Sequence, residues 1–237
     1  MRTQDVHRTI VAGRSSAAKM AATVTELLSS PSQPARTLGS TAMPGNVQRE
    51  HVELVIDVSI SMSEGFSGGV SKLEAAKNAA VNFIVSKHRL DPEDSVGLVS
   101  FCGKAKRVHT AVRLSEGKRD LLLAVQSLSI WGFTDLDAPL RLIQSESAGI
   151  GDGVTRRVVF LTDGHGGDPL RTADKMKSEG VVFDVIGIGD SPSSVNEKLL
   201  RQMASTVDGE LRYRFIKDHQ SLVTHYTLIA GKTQVAG

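Results

Sequence analysis

From Val52 onward the chain alternates two kinds of apolar pattern. Four short, nearly continuous runs, Val52 to Ile56, Val96 to Phe101, Val158 to Leu161 and Val181 to Ile188, are rich in β-branched residues, as strands buried on both faces of a parallel sheet are. Between them apolar residues recur at helical spacing. Leu73, Ala76, Ala80, Phe83 and Ile84 mark one face of a helix over Leu73 to His88, and Asp120 to Leu128, Leu136 to Ile143 and Pro169 to Glu179 behave likewise. Lys106 to Leu114 reads as a short antiparallel edge strand. A last strand near Leu211 to Phe215 precedes a helix over Asp218 to Ala230, with Leu222, Val223, Tyr226, Ile229 and Ala230 on its apolar face. The alternation predicts an α/β fold, doubly wound, with a mostly parallel central sheet and helices on both faces. In such sheets ligands bind beyond the carboxyl ends of the strands, where strand order reverses. With Val52 to Ile56 as first strand and Val158 to Leu161 as fourth, in a 3-2-1-4-5-6 order, the ends of these two runs flank that point.

Chemistry-bearing residues fall at those ends. Asp57, Ser59 and Ser61 follow the first run at spacing two, so in an extended chain a carboxylate and two hydroxyls project to one side. Oxygen ligands of this kind suit a hard cation, and two neutral hydroxyls beside one carboxylate leave Mg²⁺ or Mn²⁺ with room for a further anionic oxygen. Thr134 stands on a glycine-containing loop, Trp131-Gly132-Phe133-Thr134-Asp135-Leu136, before a helical stretch. Asp163 ends the fourth run in Val158-Val159-Phe160-Leu161-Thr162-Asp163-Gly164.

The three segments, in this order, resemble the von Willebrand factor A domain and its metal-ion-dependent adhesion site, with a DxSxS motif, a threonine loop and an aspartate. The resemblance covers roughly residues 51 to 232; Ser71-Lys72-Leu73-Glu74-Ala75-Ala76-Lys77 and Val185-Ile186-Gly187-Ile188-Gly189 also match, while Ile60 stands where many members carry glycine. It implies a Rossmann-like sheet. It implies Ser59, Ser61 and Thr134 as hydroxyl ligands, with Asp57 and Asp163 supplying charge directly or through water, around Mg²⁺, with Mn²⁺ or Ca²⁺ as alternatives. It further implies that a partner's Asp or Glu completes the metal's shell, that the Asp218 to Ala230 helix moves in response, and that intracellular members serve as adaptors in multiprotein complexes, alongside AAA+ ATPases and kinase or phosphatase partners.

Taken singly, each residue has a plainer role. Asp163-Gly164 fits a turn, Ser59 and Ser61 fit loop or cap positions, and Thr134 fits an N-cap; the ordered set is what points to a metal. Around it, Ser63, Glu64, Trp131, Asp135 and His165 form a candidate partner-binding rim, with caps and solvated loop positions as the plainer reading and burial as the alternative for Trp131. His165 lacks the further His or Cys neighbours that Zn²⁺ needs.

Enzymatic readings fit less well. Gly65-Phe66-Ser67-Gly68-Gly69 matches a G-x-S-x-G pattern, with Asp184 and His219 in hydrolase order, but the stretch reads as a glycine-rich loop rather than a strand-to-helix elbow. Mg²⁺-dependent phosphoryl transfer on Asp57 would want a second aspartate where Ser59 stands, and no Walker A pattern occurs. The expectation is an interaction module and not an enzyme, with a scaffold that dispenses with the metal as the alternative.

Composition narrows the setting. A formal charge of +2 over 237 residues gives no nucleic-acid footprint. Cys102 is the sole cysteine and no Asn-x-Ser/Thr site occurs, which favours a reducing compartment. No run approaches the roughly 20 apolar residues of a membrane span, and the first thirty lack a secretory core, so export for extracellular adhesion is not expected. Residues 1–49 hold few acids and a Ser/Pro/Thr/Gly stretch from Ser29 to Gly45, and Ser15 to Leu28 could form one helix. They read as an arm and linker before a domain over 50–232 and a tail over 233–237. A cytoplasmic protein is expected, with organelle targeting through the arm as the alternative.

Overall fold

A computed structural model describes residues 48–231 apart from 68, 148, 149 and 152. The helix expected over Ser15 to Leu28, the linker from Ser29 to Gly45 and the tail over 233–237 lie outside the described residues.

Six strands build one sheet: β1 (Glu50–Asp57), β2 (Ser95–Phe101), β3 (Ala105–Arg113), β4 (Thr155–Thr162), β5 (Val182–Ile188) and β6 (Tyr213–Ile216), in the order β6-β5-β4-β1-β2-β3. All neighbours run parallel except β2 and β3, which is the predicted order. β1 lies at the centre with apolar residues on both faces, and the one charge within its Val52 to Ile56 run, Glu53, is buried and paired with Arg107. Val52, Leu54 and Ile56 pack on one side and Val55 on the other, each at most 1% exposed.

Among the described residues six helices cover the sheet: α1 (Lys72–Leu90), α2 (Leu114–Gln126), α3 (Ala138–Glu146), α4 (Leu170–Ser178), α5 (Glu197–Met203) and α6 (His219–Ile229). α1 packs against α2 and α6, and α4 against α3 and α5, so the two faces carry three helices each. α1 opens with a capping arrangement in which the Ser71 hydroxyl accepts the Glu74 amide at 3.2 Å.

The departures from expectation have local causes. α2 begins at Leu114, six residues before its predicted start at Asp120. Gly117 breaks the helical pattern there, and it is needed because a Cβ at that position would meet the Val112 side chain at 2.6 Å. The antiparallel edge strand β3 lies one residue ahead of its expected bounds at the same length, and register shifts against β2 absorb its irregularity. α5 was not expected: it is seven residues long and opens on the Asn196 side chain, which accepts the Leu199 amide. Leu211 pairs with Thr206 in a separate two-stranded ribbon, so the last sheet strand starts at Tyr213. Gly65–Phe66, expected as part of a loop, pairs antiparallel with Val70–Ser71 beside the site.

Candidate metal centre

β1 and β4 are adjacent and in parallel register, Ile56 opposite Leu161, so Asp57 and the Thr162-Asp163 step leave the sheet side by side. Strand order reverses between them, since β1 continues through α1 to β2 on one flank while β4 leads to β5 on the other. After β1 the chain turns into a short 3₁₀ helix, Ile60–Ser63. The Ser59 amide donates to Asp57 Oδ1 at 2.8 Å, folding the triplet back over its own carboxylate. The threonine loop is laid against it backbone to backbone: the Ile60 amide donates to the Gly132 carbonyl at 3.1 Å and the Trp131 amide to the Val58 carbonyl at 2.8 Å. From the other side the Leu136 amide donates to the Gly166 carbonyl at 3.2 Å. Glycine is required at 166, where φ is +145° and a Cβ would strike the carbonyl of Thr134.

Five oxygen-bearing side chains thereby share one small space. The Ser59 and Ser61 hydroxyls lie 3.1 Å apart, and Ser61 donates to Asp163 Oδ1 at 2.8 Å. Thr134 Oγ1 and Asp57 Oδ2 stand 3.1 and 3.4 Å from the point a Cβ on Gly164 would occupy. Neighbouring ligand oxygens around an octahedral Mg²⁺ are about 2.9 Å apart, given bonds of 2.0–2.1 Å. The Ser59–Ser61 and Ser61–Asp163 spacings are close to that edge length, and the absence of a side chain at Gly164 keeps a Cβ from crowding Thr134 and Asp57. The residues present therefore fit a hard divalent cation. Among the described residues no group of three or more His, Cys, Asp or Glu side chains is placed to hold a metal; a centre at this place is built mainly from hydroxyls.

Electrostatics sharpen the picture. Asp57 is fully buried, and desolvation pushes its carboxyl up to about 6, against the hydrogen bonds from Ser59 and Thr162 that favour its charged form. A buried carboxylate left without a cation is costly, which makes this end of β1 receptive to one.

Two residues of the site were missed in the sequence. Thr162, fully buried, donates its hydroxyl to Asp57 Oδ2 at 2.6 Å and accepts the Gly164 amide at 2.9 Å, fixing carboxylate and loop together. Lys72, the first residue of α1, places its Nζ 2.7 Å from both Asp163 Oδ2 and Glu64 Oε2. The available signals were a threonine directly before the aspartate and a lysine heading an otherwise apolar helix face.

The expected rim is only partly assembled around the oxygens. Trp131 is 51% exposed, so it does not lie under its loop, and Phe133 (84%) and Ile60 (55%) stand exposed with it. Glu64 is exposed and held by Lys72, His165 is exposed, and Ser63 donates to its own turn at the Ile60 carbonyl. Asp135 serves the entry to α3 instead: one oxygen accepts the Asp137 amide and the other pairs with Arg141. The hydrolase order does not assemble as a hydrogen-bonded relay among the described residues. Ser67, at the tip of the small antiparallel pair, meets His219 only through its backbone, its carbonyl accepting the His219 amide at 3.4 Å, while the His219 ring bonds Asn78 and Asp184 bonds Arg157. A cavity of ≈ 350 Å³ under α3 and α4, lined by His51, Glu53, Arg107 and Met176 among others, shares no residue with the oxygen cluster. No described helix is long and apolar enough to cross a membrane.

Comparison with known proteins follows this geometry. The family model described as von Willebrand factor type A domain matches residues 52–165, from β1 through the Asp163 loop. Comparison with curated protein sequences finds no match. Among solved structures, the SpRpn10 VWA domain covers 79% of this chain and 100% of its own, with 20% identity and a TM-score of 0.62. The conserved hypothetical protein BatB from Bacteroides thetaiotaomicron covers 76% of this chain and 96% of its own, with 20% identity and a TM-score of 0.62. Proximal thread matrix protein 1 from the mussel byssus, solved with a zinc-occupied MIDAS motif, covers 77% of this chain, with 19% identity and a TM-score of 0.58. This chain spans 47% of that mussel protein. At such identities the likeness is one of fold: the sheet has the fold of these von Willebrand factor type A structures, and residues 52–165 are similar in sequence to that family's model.

Proposed function

We propose that the chain is a divalent-cation-dependent protein-interaction module. In this reading Ser59, Ser61 and Thr134 offer hydroxyls to Mg²⁺, or to Mn²⁺ or Ca²⁺ in its place, while Asp57 and Asp163 supply negative charge directly or through water. When bound, the cation would supply a Lewis-acidic position for an aspartate or glutamate of a partner protein. The observation that carries the reading is the gathering of these five side chains at the carboxyl end of β1 and β4, around a Gly164 that brings no side chain of its own.

The chain's own residues shape what docks. Thr162 and the Ser59 amide hold Asp57 in one orientation. Ile60, Trp131 and Phe133 present exposed apolar surface on the two hydrogen-bonded loops beside the oxygens, and aromatic anchors next to a charged contact are typical of binding hot spots. The partner is therefore read as a protein surface carrying an acid flanked by apolar side chains. The setting is read as a cytoplasmic multiprotein complex in which the chain is a non-catalytic adaptor, with an AAA+ ATPase or a kinase or phosphatase as candidate company.

One observation favours a second reading. Lys72 already sits on Asp163, so a scaffold stabilised by that lysine without a metal is the alternative. Melting temperature measured against Mg²⁺ and Mn²⁺ separates the two. A rise with metal that Asp57→Ala abolishes supports the module, and an unchanged melting temperature in the unmodified chain favours the scaffold. Pull-down from native lysate with and without EDTA then reads the metal dependence of partner capture.

A further inference from the structure

Lys72 occupies a position that is unfavourable to a lysine on two counts. It is the first residue of α1, behind the Ser71 cap, where the positive end of the helix dipole disfavours a cation. It is also 7% exposed, and a buried ammonium is costly unless paired. Two carboxylates offset both costs: Asp163 Oδ2 and Glu64 Oε2, each 2.7 Å from Nζ. Burial alone would pull the lysine down, yet the hydrogen bonds to Asp163 and Glu64 leave it raised above its ordinary value, so it remains an ammonium.

The consequence falls on the oxygen cluster. Asp163 gives one oxygen to the Ser61 hydroxyl and the other to Lys72. Of the two carboxylates beside the three hydroxyls, one is thus already compensated by a charge belonging to the protein. Asp57 is the only uncompensated carboxylate among the five side chains. Glu64 lies on the far side of the ammonium with its side chain 65% exposed, and the Lys72 amide donates to its backbone carbonyl at 3.0 Å. The lysine is held between an inner acid and an outer one.

Resting on the metal reading above, we propose that Lys72 is a resident counter-cation that keeps the centre's own affinity for a divalent ion low, so that firm metal binding requires the carboxylate of a partner. Lys72 repels the ion and shields Asp163, and a docking acid restores the missing negative charge. Ion and partner then strengthen each other's binding by the same factor. Glu64 moderates the effect by sharing the ammonium.

Titration of the full chain with Mn²⁺ alone, with free Mn²⁺ read by electron paramagnetic resonance, tests this. Lys72→Met, which keeps the stem packing, is expected to bind Mn²⁺ at least about tenfold more tightly than the unmodified chain, and Lys72→Arg to stay within about threefold of it, because repulsion between unit charges at such distances is large in a partly desolvated site. Glu64→Gln is expected to weaken binding, since the ammonium then bears on Asp163 alone. Adding Asp57→Ala to Lys72→Met should abolish the gain, which places it at this centre. A lysine that merely braces the helix would lower the urea midpoint in EDTA and leave Mn²⁺ affinity unchanged. Binding by the unmodified chain with no gain in Lys72→Met overturns the proposal and leaves the metal reading standing. Absence of Mn²⁺ binding by both proteins at millimolar concentration removes both.

Discussion

Buried carboxylates gather at both ends of the central sheet, and the company they keep differs. At the end where the parallel strands begin, Glu50 and Asp94 close around Lys87, and Asp184 receives Arg157; every one of these is at most 3% exposed. The two cations also reach the last turn of α6, Lys87 to the Ala230 carbonyl at 3.3 Å and Arg157 to that of Gly231 at 3.1 Å. That network is closed. At the opposite end, where β1 and β4 finish, Asp57 and Asp163 meet hydroxyls, a glycine without a side chain and one lysine at the margin. Where the chain supplies both signs of charge the charges hold its parts together; where it supplies oxygens in excess it leaves room for a cation from outside.

The contrast can be broken most sharply at the closed end. Lys87→Met removes the ammonium between Glu50 and Asp94 and is expected to cost about 3–5 kcal/mol, as breaking a buried pair does, read as a fall in urea midpoint that Mg²⁺ does not repair beyond its effect on the unmodified chain. Asp57→Ala is expected to act the other way round. In EDTA its effect should be small, because the lost carboxylate was desolvated. The metal-linked gain, about 2.7 kcal/mol at a hundredfold excess over Kd, should vanish. A mutant that still gains stability from Mn²⁺ would move the centre elsewhere.

Gly164→Ala sharpens the comparison at smaller scale. A Cβ there would stand 3.1 Å from Thr134 Oγ1 and 3.4 Å from Asp57 Oδ2, tight but not excluded for the protein alone. The unfolding midpoint in EDTA is expected to change by less than about 1 kcal/mol, since only a few tenths of an ångström must be absorbed. Mn²⁺ affinity should fall at least about tenfold, because the methyl takes the ion's space. Equal affinity would mean that an ion does not sit between those two oxygens.

The sequence carried the fold and the oxygen set because both rest on local patterns. Val52 to Ile56 and Val158 to Leu161 are apolar at every position but Glu53, and the spacing of Asp57, Ser59 and Ser61 is that of an extended chain. What it did not carry depended on packing between distant segments. Nothing near Gly117 announces that Val112 will lie against it, so the start of α2 was lost. Lys72 looked like any solvated helix residue until α1 was set beside the Asp163 loop. Asp135, adjacent to Thr134 and by spacing a natural rim member, turns to Arg141 because α3 begins three residues further on. The Lys87 and Arg157 network was equally hidden, since its five charged residues are scattered from Glu50 to Asp184.

A titratable group next to that network offers a milder perturbation. His225 of α6 is held below its usual range, chiefly by burial and then by Arg214 and Arg157, with Asp184 opposing. A folded-state value below the unfolded one means that the stability contribution is present above about 6.5, the ordinary histidine value, and is lost as pH falls through the depressed folded value. Asp57, raised to about 6, gains stability over the same fall in pH, so the His225 contribution is read as a difference: between pH 7.5 and 5.5 the urea midpoint of the unmodified chain should fall relative to that of His225→Gln. An unchanged slope would show that the closed end tolerates an extra charge.

The smallest effect on folding is expected at the open end. Phe133 is 84% exposed and its neighbours Trp131 and Ile60 about half, so the apolar surface they present is not core. Phe133→Ser should alter the unfolding free energy by no more than about 0.5 kcal/mol, as surface changes do, and leave Mn²⁺ binding untouched because it contributes no oxygen. If its unfolding midpoint instead fell as far as that of a core truncation, the loop's aromatic would be holding the site in shape. The rim would then belong with the closed end, as structure, and not with the oxygens it surrounds.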